Sequence, residues 1–228
     1  MKLNYFDLLS PDPIYIQNVG GILSPTLRQI SSIGIQMYRN YLSFLLMDSK
    51  LFEMLISNED SAGMLETVFN FFIKENVTYS PQSNCFLVSG DSTPTGFITK
   101  EIFPQICDLI CQRNYIKSNR REDLSQIKNK KALDIMKKLQ KGRKSAAKQS
   151  KEDKNMELGN ILSAVANKSQ SLNILNIWDL TVFQVWDCFA RLSSNSIYEI
   201  QSMSVAAWGN KDNTFDASAW FKRMDIVD

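Results

Sequence analysis

The stretch "NVTYSPQSNCFLVSGDSTPTGFIT", residues Asn76–Thr99, decides the fold class. Short β-prone pieces alternate there with Pro, Ser, Asn and Gly, the punctuation of tight turns, so it reads as a small antiparallel sheet. Helical periodicity flanks it on both sides. A helix is expected over Met64–Lys74. After the sheet, Thr99 can cap a helix whose buried stripe is Ile102, Phe103, Ile106, Leu109 and Ile110, ending near Asn114. Strands embedded among helices give an α+β class, mainly helical, with the sheet in the N-terminal part.

Working outward toward the start, "PIYIQNVGGILSP" reads as a strand pair around Gly20 and Gly21. Ser24 can cap a helix with Pro25 at its first position. Leu27, Ile30, Ile33, Met37, Tyr41 and Phe44 then recur at three- and four-residue spacing, one face of a helix central to the first core. This N-terminal α+β domain is expected to span residues 1–118.

Beyond it the composition changes. From Arg113 to Lys154 there are fifteen Lys and Arg against five Asp and Glu, a local charge of +10 in a chain whose formal net charge is +2. On a helical wheel Leu124, Ile127, Ala132, Ile135, Met136 and Leu139 share one side, and Lys130, Lys137, Lys138, Lys141 and Lys144 the other. After Gly142 the apolar positions vanish, and "RKSAAKQSKEDK" has too little apolar content to offset its ordering entropy, about 1 to 2 kcal/mol per residue. Residues 119–155 are therefore read as a basic amphipathic helix and linker. The lysines fit a solvated face. Nucleic acid is the weaker expectation, because bare charge gives phosphate contact without specificity, and a membrane surface is disfavoured by the lack of an aromatic anchor at the polar–apolar boundary.

Apolar periodicity returns with Met156, Leu158, Ile161, Leu162 and Val165. "NIWDLTVFQVWDCFARL" follows, with Asp179 or Thr181 able to cap and Val182, Val185, Trp186, Phe189 and Leu192 on one face. "NSIYEIQSMSVAAWGN" carries Ile197, Ile200, Met203 and Ala207 and stops at Gly209, which can take a left-handed cap. Residues 156–228 are expected to form a C-terminal helical unit. It holds all four tryptophans.

The composition bears on chemistry. With 44% apolar and 22% charged residues the chain can bury a core. It has no histidine, which removes the commonest general base and metal ligand. No glycine pattern cradles phosphate. Cys107 and Cys111 share a helical face but sit among Ile106, Leu109 and Ile110, so they read as core thiols. "SGDS" near Asp91 and "NKDN" near Asp212 lack the spaced carboxylates of a calcium loop and read as turns. No enzyme, cofactor or metal site is expected. The four cysteines show no disulfide spacing, and "MKLNYFDLLSPDP" has no signal-peptide core, so a reducing cytoplasm is expected. The longest apolar run, "FLLM" at Phe44–Met47, falls far short of the roughly 20 residues a membrane span needs.

The candidate partner-binding residues are five. Trp208, Trp220 and Phe221 are aromatic side chains of the kind that anchor interfaces, and Trp220 and Phe221 lie outside the periodic helices. Ile135 and Leu139 belong to an apolar stripe that needs a protein surface to cover it.

"GGILSPTLRQISSIG", "ALDIMKKLQKGRKS", "NKSQSLNILNIWDLTVFQVWDCFARL" and "SMSVAAWG" together resemble phage and prophage proteins of Gram-positive bacteria similar to siphophage tail assembly chaperones. The resemblance implies a host-cytoplasmic protein that binds the tape measure protein and the tail tube protein, without covalent chemistry. It also implies that a longer, frameshifted product can accompany the short one. Self-association is open as a further contact. Two other classes remain: a virion tail or connector component, and a nucleic-acid-binding regulator that uses the basic segment.

Overall fold

The structure, a computed structural model, describes residues 1–46, 49–90, 94–116, 154–210, 213–222 and 224. It is α+β: helices dominate, with two small antiparallel sheets in the N-terminal region and a helical C-terminal part. The amphipathic segment with Ile135 and Leu139, the boundary at residue 118, and the turns at Asp91 and Asp212 lie outside the described residues.

Helix α1 (Tyr5–Leu9) precedes a hairpin of β1 (Ile14–Ile16) and β2 (Gly20–Ile22). The expected glycines belong to β2, and the turn is made by Asn18, whose φ of 62° Asn tolerates. Helices α2 (Leu27–Ile33) and α3 (Ile35–Leu45) replace the single helix expected from the apolar spacing. Gly34, at φ 85°, interrupts it, because a residue without Cβ adopts that backbone freely. The cap is Thr26, where Ser24 was expected. Thr26 and Gln29 form a capping box that satisfies two backbone donors at once.

Helices α4 (Ser49–Ile56) and α5 (Glu59–Phe72) lead to the expected sheet of β3 (Asn76–Ser80), β4 (Cys85–Ser89) and β5 (Pro94–Ile98). Its order is β3-β4-β5, with Tyr79 opposite Phe86 and Phe86 opposite Ile98. Val77, Phe86, Val88 and Ile98 face inward, while Phe97 faces out. An edge strand leaves backbone groups unpaired, and α5 covers those of β3 with side chains. Asn70 both donates to Val77 O (2.7 Å) and accepts from Val77 N (2.9 Å), and Glu66 accepts from Tyr79 N (2.7 Å).

Helix α6 (Phe103–Arg113) buries Cys107 and Cys111 with Ile106, Leu109 and Ile110, as core thiols. Its last residue is a buried arginine. Arg113 Nη2 donates to the carbonyls of Asp7, Ser10 and Asp12 at 3.0, 3.2 and 2.7 Å, gathering the turn after α1, and burial pulls its pKa below the ordinary value.

Helix α7 (Leu158–Lys168) and the long α8 (Val182–Trp208) complete the fold. The two C-terminal periodic stretches join into this one 27-residue helix. Its cap is Thr181, again in a capping box, with Gln184. Thr26 and Thr181, the caps of α2 and α8, form an antiparallel bridge, reinforced by Leu27 N donating to Leu180 O (2.9 Å) and by an Arg28–Asp179 ion pair (2.8 Å). Ile161, Val165, Ile177, Val182, Phe183 and Val185 are buried in one core with Leu3, Leu8, Ile30, Phe69 and Phe103. The first half of the C-terminal region is thus packed against the N-terminal elements.

Tyr38 gives this core a pH signature. It is buried, its hydroxyl hydrogen-bonds Asn114 Oδ1, and burial first, then the neighbouring Cys111, hold its pKa well above the usual phenol range. Burial also raises Tyr5 and Tyr115. A folded-state pKa raised above the unfolded value means the native state keeps a proton that the unfolded chain releases from about pH 10 upward. Stability is therefore whole below that pH and falls as pH rises through it. Tyr38→Phe should cost about 1 kcal/mol at neutral pH, by orphaning Asn114 Oδ1, yet lose less between neutrality and about pH 10.5 than the parent does. Urea unfolding at the two pH values measures both effects.

Candidate partner-binding surface

The N-terminal half of α8 is fastened to the body. Trp186 stacks on Tyr115 at 5.1 Å and packs edge-on against Phe189 at 6.1 Å, and both are half-buried against the core on the face their spacing predicts. Tyr5 donates a hydrogen bond to Asp187 and accepts one from Arg191 Nη2 (3.0 Å), and Gln184 Nε2 donates to Leu9 O (2.8 Å). Past Leu192 the helix leaves the body, and no side chain from Ser193 to Trp208 is fully buried.

Gly209, at φ 81°, ends the helix and turns the chain back along it. Phe215 meets the Tyr198 ring at 5.5 Å, and Lys222 O accepts from Arg191 Nη1 at 3.0 Å, so the tail runs antiparallel to α8. Asp216 closes the tail on itself. It pairs with Lys222 and accepts from Ser218 Oγ (2.6 Å), and these contacts, Lys222 first, hold its carboxyl well below the usual range. A depressed carboxyl pKa contributes to the closed tail above the ordinary Asp range and loses that contribution only as pH falls through the lowered value, so the contribution is whole at neutral pH.

The aromatic candidates are presented to solvent. Trp208 is 77% exposed at the tip of α8, and Trp220 and Phe221 are 53% and 58% exposed on a single 3-10 turn, Ala219–Phe221. Trp220 and Phe221 touch each other edge-on at 5.0 Å and form one platform. Trp208 stands apart from it: Arg191, which holds the end of the tail, is seventeen residues back along α8, about 25 Å at 1.5 Å per residue.

A second exposed apolar group lies outside the five partner-binding candidates. Ile197, Ile200 and Met203 have the spacing of a buried helical stripe, yet all three are exposed. They continue the line of Val182, Val185 and Phe189 along α8 beyond the point where the body ends. Periodicity shows which face is apolar, whereas coverage depends on where neighbouring elements stop.

Among the described residues no group of three or more His, Cys, Asp or Glu is placed to hold a metal, and no helix is long and apolar enough to cross a membrane. The four cysteines form no disulfide. What the surface offers is apolar and aromatic area on a projecting helix and its hooked tail.

No curated protein and no solved structure matches the chain. A phage-associated domain family does: residues 148–225, which include α7, α8 and the hooked tail, match the family model described as the YomV second domain, YomV being a Bacillus prophage protein.

Proposed function

We propose that this chain is a phage morphogenesis protein that binds another protein through the projecting half of α8 and its tail, and that it works as a tail assembly chaperone with the tape measure and tail tube proteins as clients. The observation that carries this reading is the pairing of Trp220 and Phe221 on an exposed, ion-paired turn, with Trp208 at the helix tip, inside the segment that matches a prophage domain family. Tryptophan anchors of this kind often contribute about 2 kcal/mol or more each when a partner buries them. The resemblance of the chain to tail assembly chaperones supplies the identity of the clients. Binding, release and no covalent chemistry suit a chain without histidine, acting in the host cytoplasm.

The test is co-expression with a tagged tape measure protein or tail tube protein. The full chain should co-purify with one of them, and a chain ending at Leu192 should not, while its N-terminal core stays folded by circular dichroism. Trp220→Ala with Phe221→Ala should weaken capture at least tenfold. Undiminished capture by the truncated chain would move the client site to the N-terminal elements. Absence of the protein from purified mature particles separates a chaperone from a tail or connector component.

A further inference from the structure

The geometry points to a second copy of this chain as the occupant of the stripe on the outer half of α8, in an antiparallel helix pair centred on Ile200. At 100° per residue, positions 193, 196, 197, 200, 203, 204 and 207 fall within an arc of about 120°. The closed tail lies on the opposite side of the helix, where Tyr198 meets Phe215. The stripe is therefore open along about 20 Å of helix.

Two features select a copy of the same chain. The first is charge. Glu199 is the one side chain charged at neutral pH from Ser193 to Trp208, so the face offers no complement to the charged groups of an acidic or basic client. The second is a symmetry of size. A two-fold axis through Ile200 sets each residue against the one whose number completes a sum of 400. Ile200 meets itself, Ile197 meets Met203, Ser196 meets Ser204, and Ser193 meets Ala207. Large side chains face large ones at the centre and small face small toward both ends, which is the self-complementarity an isologous interface requires. Small residues at the ends let the two backbones approach closely. A parallel in-register pair would match sizes as well, but it would set the two helix dipoles side by side in the same direction, whereas the antiparallel pair opposes them.

The stripes of two copies offer on the order of 1,000 Å² between them, the lower edge of specific interfaces, which is the area of a weak, concentration-dependent pair. Glu199 lies about 100° from Ile200, at the flank of the pair, and the two-fold places both Glu199 side chains on the same flank. Their repulsion weakens the dimer, more so at low salt.

Sedimentation of the full chain from about 1 to about 100 µM should show a monomer–dimer equilibrium. Ile200→Asp puts two charges on the axis and should leave a monomer at every concentration; Ile200 is exposed, so at concentrations where the parent is also monomeric the unfolding midpoint should not move. Glu199→Gln should tighten the dimer several-fold, with the largest gain at low salt. Orientation is read by oxidative cross-linking above the background of the native cysteines. A mixture of Ser196→Cys and Ser204→Cys chains should cross-link faster than either alone, and Ile200→Cys should cross-link with itself. A monomer at the highest concentration with no Ile200→Cys cross-link overturns the proposal in favour of another occupant of the stripe. Self-linking of Ser196→Cys alone overturns the antiparallel arrangement. Trp220→Ala with Phe221→Ala should leave the monomer–dimer equilibrium as in the parent, because both side chains lie on the tail outside the stripe, which keeps a failure here distinct from a failure of the client reading.

Discussion

Phe183→Ala should lower the free energy of unfolding by about 3–5 kcal/mol, the usual cost of emptying an aromatic site in a closed core. Phe183 is fully buried at the start of α8 and lies edge-on to Tyr5 at 6.3 Å and tilted to Tyr115 at 6.1 Å. Tyr5 belongs to α1 and Tyr115 follows α6, so the cavity would open among three parts of the chain distant in sequence. The bridge of Thr26 to Thr181 lies at the start of the same helix. Loss at Phe183 should therefore propagate into the N-terminal elements. Tryptophan fluorescence, which reports on residues 178–220, and far-ultraviolet circular dichroism, which reports on all the helices, should shift together to lower urea. A fluorescence transition that moves while the dichroism transition stays would mean the two regions unfold independently.

How far this fold can be read from sequence depends on how locally each feature is determined. The sheet at residues 76–98 is legible because β-prone runs and turn residues alternate there, and α6 because its stripe repeats over three turns. Each is fixed by neighbours a few residues away. The caps were legible in principle: Thr26 with Gln29 and Thr181 with Gln184 both carry the T-x-x-Q signature. At the first of them Ser24–Pro25 offered a competing start, and the reciprocal capping box prevailed. Helices α1 and α4, of five and eight residues, are too short for a 3.6-residue period to declare itself. The Thr26–Thr181 bridge and the Arg28–Asp179 pair join residues more than 150 positions apart, and no local pattern encodes them. The candidate surface divides in the same way. Trp220 and Phe221 stand out as aromatic residues outside any periodic stretch. The exposure of Ile197, Ile200 and Met203 follows from α8 outrunning the body, a property of the assembled molecule.

Gly96→Ala should cost about 3 kcal/mol, the upper part of the usual range for overpacking, although it adds a single methyl group. A Cβ on Gly96 would lie 1.7 Å from the backbone oxygen of Asn18 and 2.4 Å from its carbonyl carbon. A flexible side chain could swing aside, but these are backbone atoms of a three-residue turn already held at a φ of 62°. That turn is anchored on both sides. Gly21 N donates to Glu75 Oε2 at 2.7 Å, and Lys74 N donates to Gly21 O at 2.9 Å, so β2 cannot retreat without breaking its contacts with the end of α5. On the other side β5 is hydrogen-bonded to β4, and Val88 stands opposite Gly96. Relief must come from parting the β1–β2 hairpin and the three-stranded sheet, which would expose Val19, Ile22 and Ile98, all buried now. The site is remote in the fold from the outer half of α8. Gly96→Ala should therefore lower the urea midpoint while leaving client capture and the monomer–dimer equilibrium unchanged at temperatures where the protein is still folded. Loss of capture in a variant that is folded by circular dichroism would tie the client surface to the hairpin–sheet contact and contradict its placement on α8 and the tail.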